Sequence, residues 1–326
     1  MTSEIDWPER IRAARARIAG VVRETPLLRA EALDQVAGRR VWVKAESLQV
    51  TGSFKMRGAH AALSAMAPER RAAGVMAVSS GNHAQGVAHA ARHHGVPAVL
   101  VMPADAPASK FAGVRALGAE VVTYDRAGGV DRQAAGDAVA AERRLAQISP
   151  YDDVDVISGQ ATVGLELLEQ YSGGPADVLI CTGGGGLAAG VSLALDGAPG
   201  FRVRTVEPEG FDDWARSLIS GERLENAPDA RSICDAILTP RPGRMTFPIV
   251  RARAGPGIVV SDQECLAAMT FAARHLKLVL EPGGAAALAA ALFDRGAVEG
   301  DDVIVIATGG NVDPPRLVEA LGRPCP

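Results

Sequence analysis

Cysteine, aromatic residues and excess charge are all scarce in this chain. Of its 326 residues four are cysteine, Cys181, Cys234, Cys265 and Cys325, and no two form a CxxC pair, which argues against a disulfide framework. Aromatic residues make up 4%, and the net charge is -4 with a pI of about 5.9. Without a basic stripe interleaved with aromatics, the chain has neither the phosphate attraction nor the stacking surface of a nucleic-acid binder, and it offers nothing to an acidic membrane surface. No run of 18 apolar residues is present to span a bilayer. The segment Met1-Thr2-Ser3-Glu4-Ile5-Asp6 has no basic stretch followed by an apolar one, so secretion is not expected. These absences point to a cytoplasmic enzyme acting on small molecules.

Apolar residues, by contrast, make up 48%, with 36 Gly and 20 Pro, amounts that suit one large α/β unit or two lobes. Short apolar runs at Val75–Ser79, Ala98–Met102, Glu120–Thr123, Val178–Thr182, Arg202–Val206 and Val303–Ala307 read as strands. Between them, Ala-rich segments of helical period read as helices at Asn82–His94, Ser109–Leu117, Thr162–Tyr171, Leu187–Leu195, Ser261–His275 and Gly283–Phe293. This alternation predicts parallel sheets with helices on both faces. Ligands of such sheets bind beyond the carboxyl ends of the strands, so the loops there are where chemistry is expected.

Three of these loops stand out. Gly183-Gly184-Gly185-Gly186-Leu187 follows a strand and opens a helix; residues without Cβ let successive N–H groups converge on one anion, which makes the loop a phosphate cradle. Ser80-Gly81-Asn82-His83 opens another helix, offering backbone donors, a hydroxyl and an amide; the plainer reading is an N-cap by Ser80 or Asn82. Thr308-Gly309-Gly310-Asn311 presents a hydroxyl able to hydrogen-bond a ring nitrogen without protonating it, or else it is only a glycine-rich turn. Upstream, Thr51-Gly52-Ser53-Phe54-Lys55-Met56-Arg57-Gly58 sets a lysine in a short turn before a helix. Such an amine becomes a nucleophile when its ammonium form is disfavoured, and Arg57 and the helix N-terminus are both expected to act in that direction.

Those segments, with Lys44-Ala45-Glu46-Ser47-Leu48-Gln49, Gly159-Gln160-Ala161-Thr162 and Glu281-Pro282 in the same order, resemble the pyridoxal-phosphate (PLP) enzymes of fold type II. Within them the chain is most similar to the threonine/serine dehydratase and serine racemase group. The resemblance implies a two-domain α/β fold like that of the tryptophan synthase β chain. Residues 1–63 and 151–326 would form a large PLP-binding domain, and 64–150 a small mobile domain that closes on substrate. It implies that Lys55 holds PLP as a Schiff base and then removes the substrate's α-proton, that Phe54 packs near the pyridine ring, and that Asn82 bonds the phenolic oxygen. Gly183, Gly184, Gly185, Gly186 and Leu187 would bind the phosphate, Thr308 would face the pyridine nitrogen, and Glu281 would lie among the cofactor's contacts. Ser80, Gly81, Asn82 and His83 would cradle the substrate carboxylate. A neutral partner at the ring nitrogen weakens the ring as an electron sink, which favours β-elimination over transamination.

The same resemblance implies a divalent cation (Mg, Ca or Mn) held by Glu207, the Phe211 carbonyl and Asp213, since hard oxygen donors suit such ions. Threonine or serine is the expected substrate, leaving as a 2-oxo acid and ammonia. Serine racemisation is the alternative marked by Ser80, which would face the substrate opposite Lys55. A second alternative is threo-3-hydroxyaspartate, whose β-carboxylate Arg132 would pair. Solvated or capping roles are expected for His60, His83, His89, His93, His94 and His275. A homodimer is expected, and because the chain ends soon after Asn311 no isoleucine-sensing domain is. The rival reading is a dinucleotide site, from Gly183-x-Gly185-x-x-Ala188 with Glu207 as the ribose-binding acid, but it leaves Lys55, Asn82 and Thr308 without roles. Protein loaded with PLP is therefore expected to show a visible Schiff-base absorption that borohydride removes, and Lys55→Ala should lack it; a dinucleotide-binding chain would show no such band.

Overall fold

The computed structural model describes residues 5–106, 108–126, 128–293 and 298–325. Residues 1–4, part of the signal-peptide and large-domain expectations, lie outside them. Ten strands occur among the described residues: β1 (Leu27–Arg29), β2 (Arg40–Lys44), β3 (Val75–Val78), β4 (Ala98–Pro103), β5 (Glu120–Tyr124), β6 (Ala146–Gln147), β7 (Ala176–Cys181), β8 (Phe201–Pro208), β9 (Ile258–Val260) and β10 (Asp302–Ile306). The chain divides into two compact units, one of Met1–Val22 with Lys55–Gly159, the other of Arg23–Phe54 with Gln160–Pro326.

The first unit is built on a four-stranded parallel sheet in the order β5-β4-β3-β6. Every residue of β3 and β4 is buried, as a parallel sheet covered on both faces requires. Its helices include α1 (Trp7–Ile18), α2 (Lys55–Ala65), α3 (Asn82–His94) and α4 (Arg132–Arg143). Helix α2 packs on α1 and α3: a Cβ at Gly86 would lie 3.3 Å from that of Ala59, and Ala14 and Ile18 pack with Ala61. That packing places the division between units at Phe54/Lys55, whereas the sequence placed it at residue 63.

The second unit has a six-stranded sheet in the order β1-β2-β10-β7-β8-β9, parallel except for β1, which pairs antiparallel with β2. Its helices include α5 (Gly186–Ala194), α6 (Asp213–Ser220), α7 (Asp262–Phe271) and α8 (Pro282–Phe293). Helix α8 reads PGGAAALAAALF and is buried from Pro282 to Leu292; small residues all round let it sit between the sheet and α7. Ser261 and Glu264 close a capping box at the start of α7. Among the described residues no helix is long and apolar enough to cross a membrane.

The six strands read from sequence correspond to β3, β4, β5, β7, β8 and β10. The unread ones are β2 and three of two or three residues, β1, β6 and β9, too short to display a period. The solvated histidines are corrected in two cases, since His60 and His83 are buried. His60 sits with its ring centroid 5.2 to 5.8 Å from those of His89, His93 and His94. Burial first, then the charges of those neighbours, pushes its pKa from 6.5 down to about 3. The folded chain thus refuses a proton that the unfolded chain binds, so this contribution to stability is complete above pH 6.5 and is lost as the pH falls toward 3. The thermal midpoint is expected to drop over that window, and less steeply in His60→Gln; an identical slope in the variant would count against it. His83, shifted in the same sense, keeps the slope from vanishing.

Candidate active site

In the first unit the site groups gather at the carboxyl end of β3. The chain leaves Val78 and turns through Ser79, Ser80 and Gly81 into α3, where the Ser79 hydroxyl accepts from the Gly81 N–H at 3.2 Å. The N-cap position is Gly81, and no side chain caps the helix. Neither Ser80 nor Asn82 therefore acts as its N-cap, and the start of a helix, where backbone N–H groups lack intrahelical partners, is a setting suited to an anion. Ser80, Gly81 and Asn82 are half-buried and His83 is buried.

Lys55 is the first residue of α2 and is half-buried. Its Nζ donates to the Pro150 carbonyl at 2.9 Å. Desolvation, followed by the charge of Arg132, lowers its pKa from 10.5 to about 8. The cation that acts on it is thus Arg132, at the start of α4, and not Arg57 two residues along, which is buried within α2. Arg132 is exposed along its length, while its Nη2 donates to the carbonyl of Val78, the last residue of β3. Lys55, His83 and Arg132 therefore share one electrostatic neighbourhood: both cations also push His83 down.

The second unit carries the residues expected to hold the cofactor. Phe54 is half-buried, and its N–H donates to the Thr308 carbonyl at 3.1 Å. Ser53 bridges to Gly309, Gly310 N–H donates to Gly52 O at 2.9 Å, and Asn311 Nδ2 donates to Thr51 O at 2.8 Å. The residues just before Lys55 are thus laid along the loop that follows β10. Thr308 is buried with its hydroxyl in hydrogen-bond reach of the Cys181 sulfur, and Glu281, also buried, donates its N–H to Gly309 O at 3.1 Å.

Beyond β7, Gly185 has φ +90°, which a side chain would strain, and a Cβ there would lie 2.2 Å from Trp214 Cζ2. A Cβ at Gly183 would meet the Ile237 backbone at 3.0 Å. The Gly183 carbonyl accepts from Trp214 Nε1 at 2.5 Å, and the Gly184 carbonyl from the Thr246 hydroxyl at 2.7 Å and from Gly243 N–H at 3.3 Å. In a trans peptide the following N–H points the opposite way, so anchoring these two carbonyls directs the N–H groups of Gly184 and Gly185 to the other side of the loop. The N–H groups of Gly186 and Leu187, as first-turn residues of α5, have no intrahelical acceptor either. This geometry suits the phosphate of PLP. Trp214, Thr246 and Pro150 are contributors that carried no sequence signal, because each acts from a distant segment.

The expected cation site is not borne out. Both oxygens of buried Glu207 accept amide N–H groups, from Trp214 and Ala215, at 2.8 Å each, so this carboxylate caps α6. Asp213 Oδ1 accepts from Asn226 Nδ2 at 2.5 Å, and Phe211 N–H turns back to Pro208 O. Among the described residues no group of three or more His, Cys, Asp or Glu gathers to hold a metal ion. Of the Glu207 and Asp213 carboxylate oxygens, only Asp213 Oδ2 is buried without a hydrogen-bond partner, too little for a hard cation that takes six or more oxygens. Glu207 as a ribose-binding acid fails for the same reason.

The sequence matches the profile of the family described as pyridoxal-phosphate dependent enzymes over residues 18–309. It is 43% identical to an L-threo-3-hydroxyaspartate ammonia-lyase of a Pseudomonas species, covering 94% of this chain and 96% of that one. It is 41% identical to an L-threo-3-hydroxyaspartate ammonia-lyase of Saccharomyces cerevisiae, covering 94% and 93%. The fold is similar to that of maize serine racemase, with a TM-score of 0.88 and 37% identity over 96% of each chain.

Gly185→Ala is expected to weaken PLP binding by the apoprotein at least about tenfold and to cost roughly 1–3 kcal/mol of stability through overpacking against Trp214. Fluorescence titration and thermal melting measure the two, and a variant equal to wild type in both would contradict the close fit.

Proposed function

The chain belongs to the family of pyridoxal-phosphate dependent enzymes, and from that premise we propose that it is an ammonia-lyase acting on 3-hydroxy-L-amino acids, with L-threo-3-hydroxyaspartate as the preferred substrate. This reverses the order expected from sequence, in which threonine and serine came first. The observation that carries the choice is Arg132, whose exposed side chain reaches the end of β3 beside the Ser80–His83 loop and whose charge acts on Lys55. The naming of the relatives at 43% and 41% identity supports the same choice.

PLP, when bound, supplies the electron sink that acidifies the substrate's Cα–H. The rest falls to the chain. Amide N–H groups at the start of α3 bind the α-carboxylate, and those of Gly184 to Leu187 hold the phosphate. Arg132 pairs the β-carboxylate through a fork of N–H donors that a lysine would not offer. That pairing offsets the positive charge that depresses Lys55, so a β-carboxylate makes the amine a stronger base as it binds. With its pKa near 8, Lys55 is available as a free amine at mildly alkaline pH to take the Cα proton. Loss of the β-hydroxyl as water, followed by hydrolysis of the enamine, releases a 2-oxo acid and ammonia.

A second reading, racemisation, is favoured by Ser80, a hydroxyl in the loop that meets the substrate. A panel of threo-3-hydroxyaspartate, threonine, serine and 3-phenylserine, assayed for 2-oxo acid and for D-enantiomer, distinguishes the readings. Arg132→Ala is expected to lower kcat/KM for hydroxyaspartate about a hundredfold while changing that for threonine less than about threefold. Equal losses on both would sink the assignment of Arg132. D-Enantiomer lost in Ser80→Ala, with 2-oxo acid formation retained, would favour the racemase reading.

A further inference from the structure

The first two turns of α3 frame Lys55 from two directions. A Cβ at Gly86 would lie 3.1 Å from the Lys55 carbonyl oxygen and 3.2 Å from its carbonyl carbon, so the helix backbone rests directly on residue 55. One turn earlier, the buried ring of His83 reaches the Ile148 carbonyl, with Nε2 at 2.9 Å. Ile148 N–H donates to Met76 O on β3, also at 2.9 Å, and two residues further on the Pro150 carbonyl accepts from Lys55 Nζ. The strip 146–150 is therefore pinned by β3, by the His83 ring and by the Lys55 amine.

A carbonyl only accepts, so His83 Nε2 carries a proton. Burial first, then the charge of Lys55, pushes this imidazole down to about 3, with Arg132 adding to the effect and the Ile148 bond opposing it. His83 is thus a neutral ring in a single tautomer and does not compete for the proton that Lys55 takes up. The titratable and charged groups facing the pair are each other, from α2 and α3, and Arg132 from α4. β3 and the strip 146–150 have no ionisable side chains.

We propose that His83 is a positioning residue for Lys55: its Nε2–H holds the Ile148–Pro150 strip so that the Pro150 carbonyl receives the Lys55 amine whenever that amine is not bonded to cofactor. The inference rests on the reading of Lys55 as the cofactor-bearing base. It gives a role to a side chain that the sequence had marked only as part of a carboxylate loop.

Glutamine can place an amide N–H near the Nε2 position, whereas asparagine reaches only the Nδ1 position. Full-length wild type, His83→Gln and His83→Asn, each with PLP removed, are labelled at Lys55 with acetic anhydride across a pH series, and the extent is read by peptide mass spectrometry. The PLP-loaded proteins are assayed in parallel. Wild type and His83→Gln are expected to share a labelling midpoint near 8. In His83→Asn the ammonium loses its fixed acceptor, so the midpoint is expected to fall by about half a pH unit or more, and kcat about tenfold with KM changed less than about threefold. Identical behaviour of His83→Asn and wild type would overturn the proposal, as would equal departures of both variants, which would make the ring a packing element only. Should His83→Asn not fold, His83→Leu, which fills the ring's space without an N–H, takes its place: a midpoint below that of wild type supports the role of the N–H, and an unchanged one refutes it. Failure of wild-type protein to form the borohydride-sensitive Schiff base would instead defeat the reading of Lys55, whatever the His83 variants do.

Discussion

Keeping one amine out of water without committing it to a carboxylate is the constraint on which the rest depends. Two lysines eleven positions apart show the difference. Lys44 is fully buried, with its Nζ donating to Glu166 at 2.5 Å, Thr25 O at 2.6 Å and Gln170 at 2.8 Å. It is a structural cation whose charge has a counterpart. Lys55 donates to a carbonyl, and both forces that shift its pKa, burial and Arg132, disfavour the ammonium. A carbonyl supplies a dipole and a direction without a counter-charge, so the amine is held in place and still able to lose its proton.

Parallel topology makes such an arrangement possible, because it brings several strands to end on the same side of each sheet. In the first unit β3 delivers the loop that carries Ser80 to His83; in the second, β7 delivers the glycine turn and β10 delivers Thr308. At each of these ends the chain must turn without capping away the N–H groups that a ligand needs. Glycine at the N-cap of both α3 and α5 meets that requirement, since neither helix has a side-chain cap. Glu207 illustrates the opposite outcome: its carboxylate takes the first amides of α6, and that helix start has no N–H groups left at those positions.

Much of the fold was legible because β3, β4, β7 and β10 are largely apolar runs of four to six residues, and continuous burial on both faces writes itself into composition. Strands of two or three residues, such as β6, leave no such mark, although β6 begins the strip that carries Pro150. The helix expected from Thr162 starts at Val154, because its first turns are selected by packing, with Gly159 close against Ala61 and the Arg57 carbonyl. The site residues expected from sequence lie where local chemistry is unusual, at Lys55, at four consecutive glycines and at a helix start beside Gly81. Glu207 and Asp213 misled for the same reason, since two acids in a loop resemble a ligand set whether or not amides already occupy one of them.

The sequence by itself determined which residues lack side chains, which carry an amine, a hydroxyl or a guanidinium, and in what order they follow the strands. That suffices for the family and for the cofactor, because both rest on local segments. Tertiary structure decided which charge acts on which group. Arg57 is two residues from Lys55 and Arg132 is far along the chain, yet Arg132 shifts the amine, and the carbonyl receiving it comes from Pro150. Electrostatic influence falls with distance through space and with exposure to solvent, and only packing sets either of these.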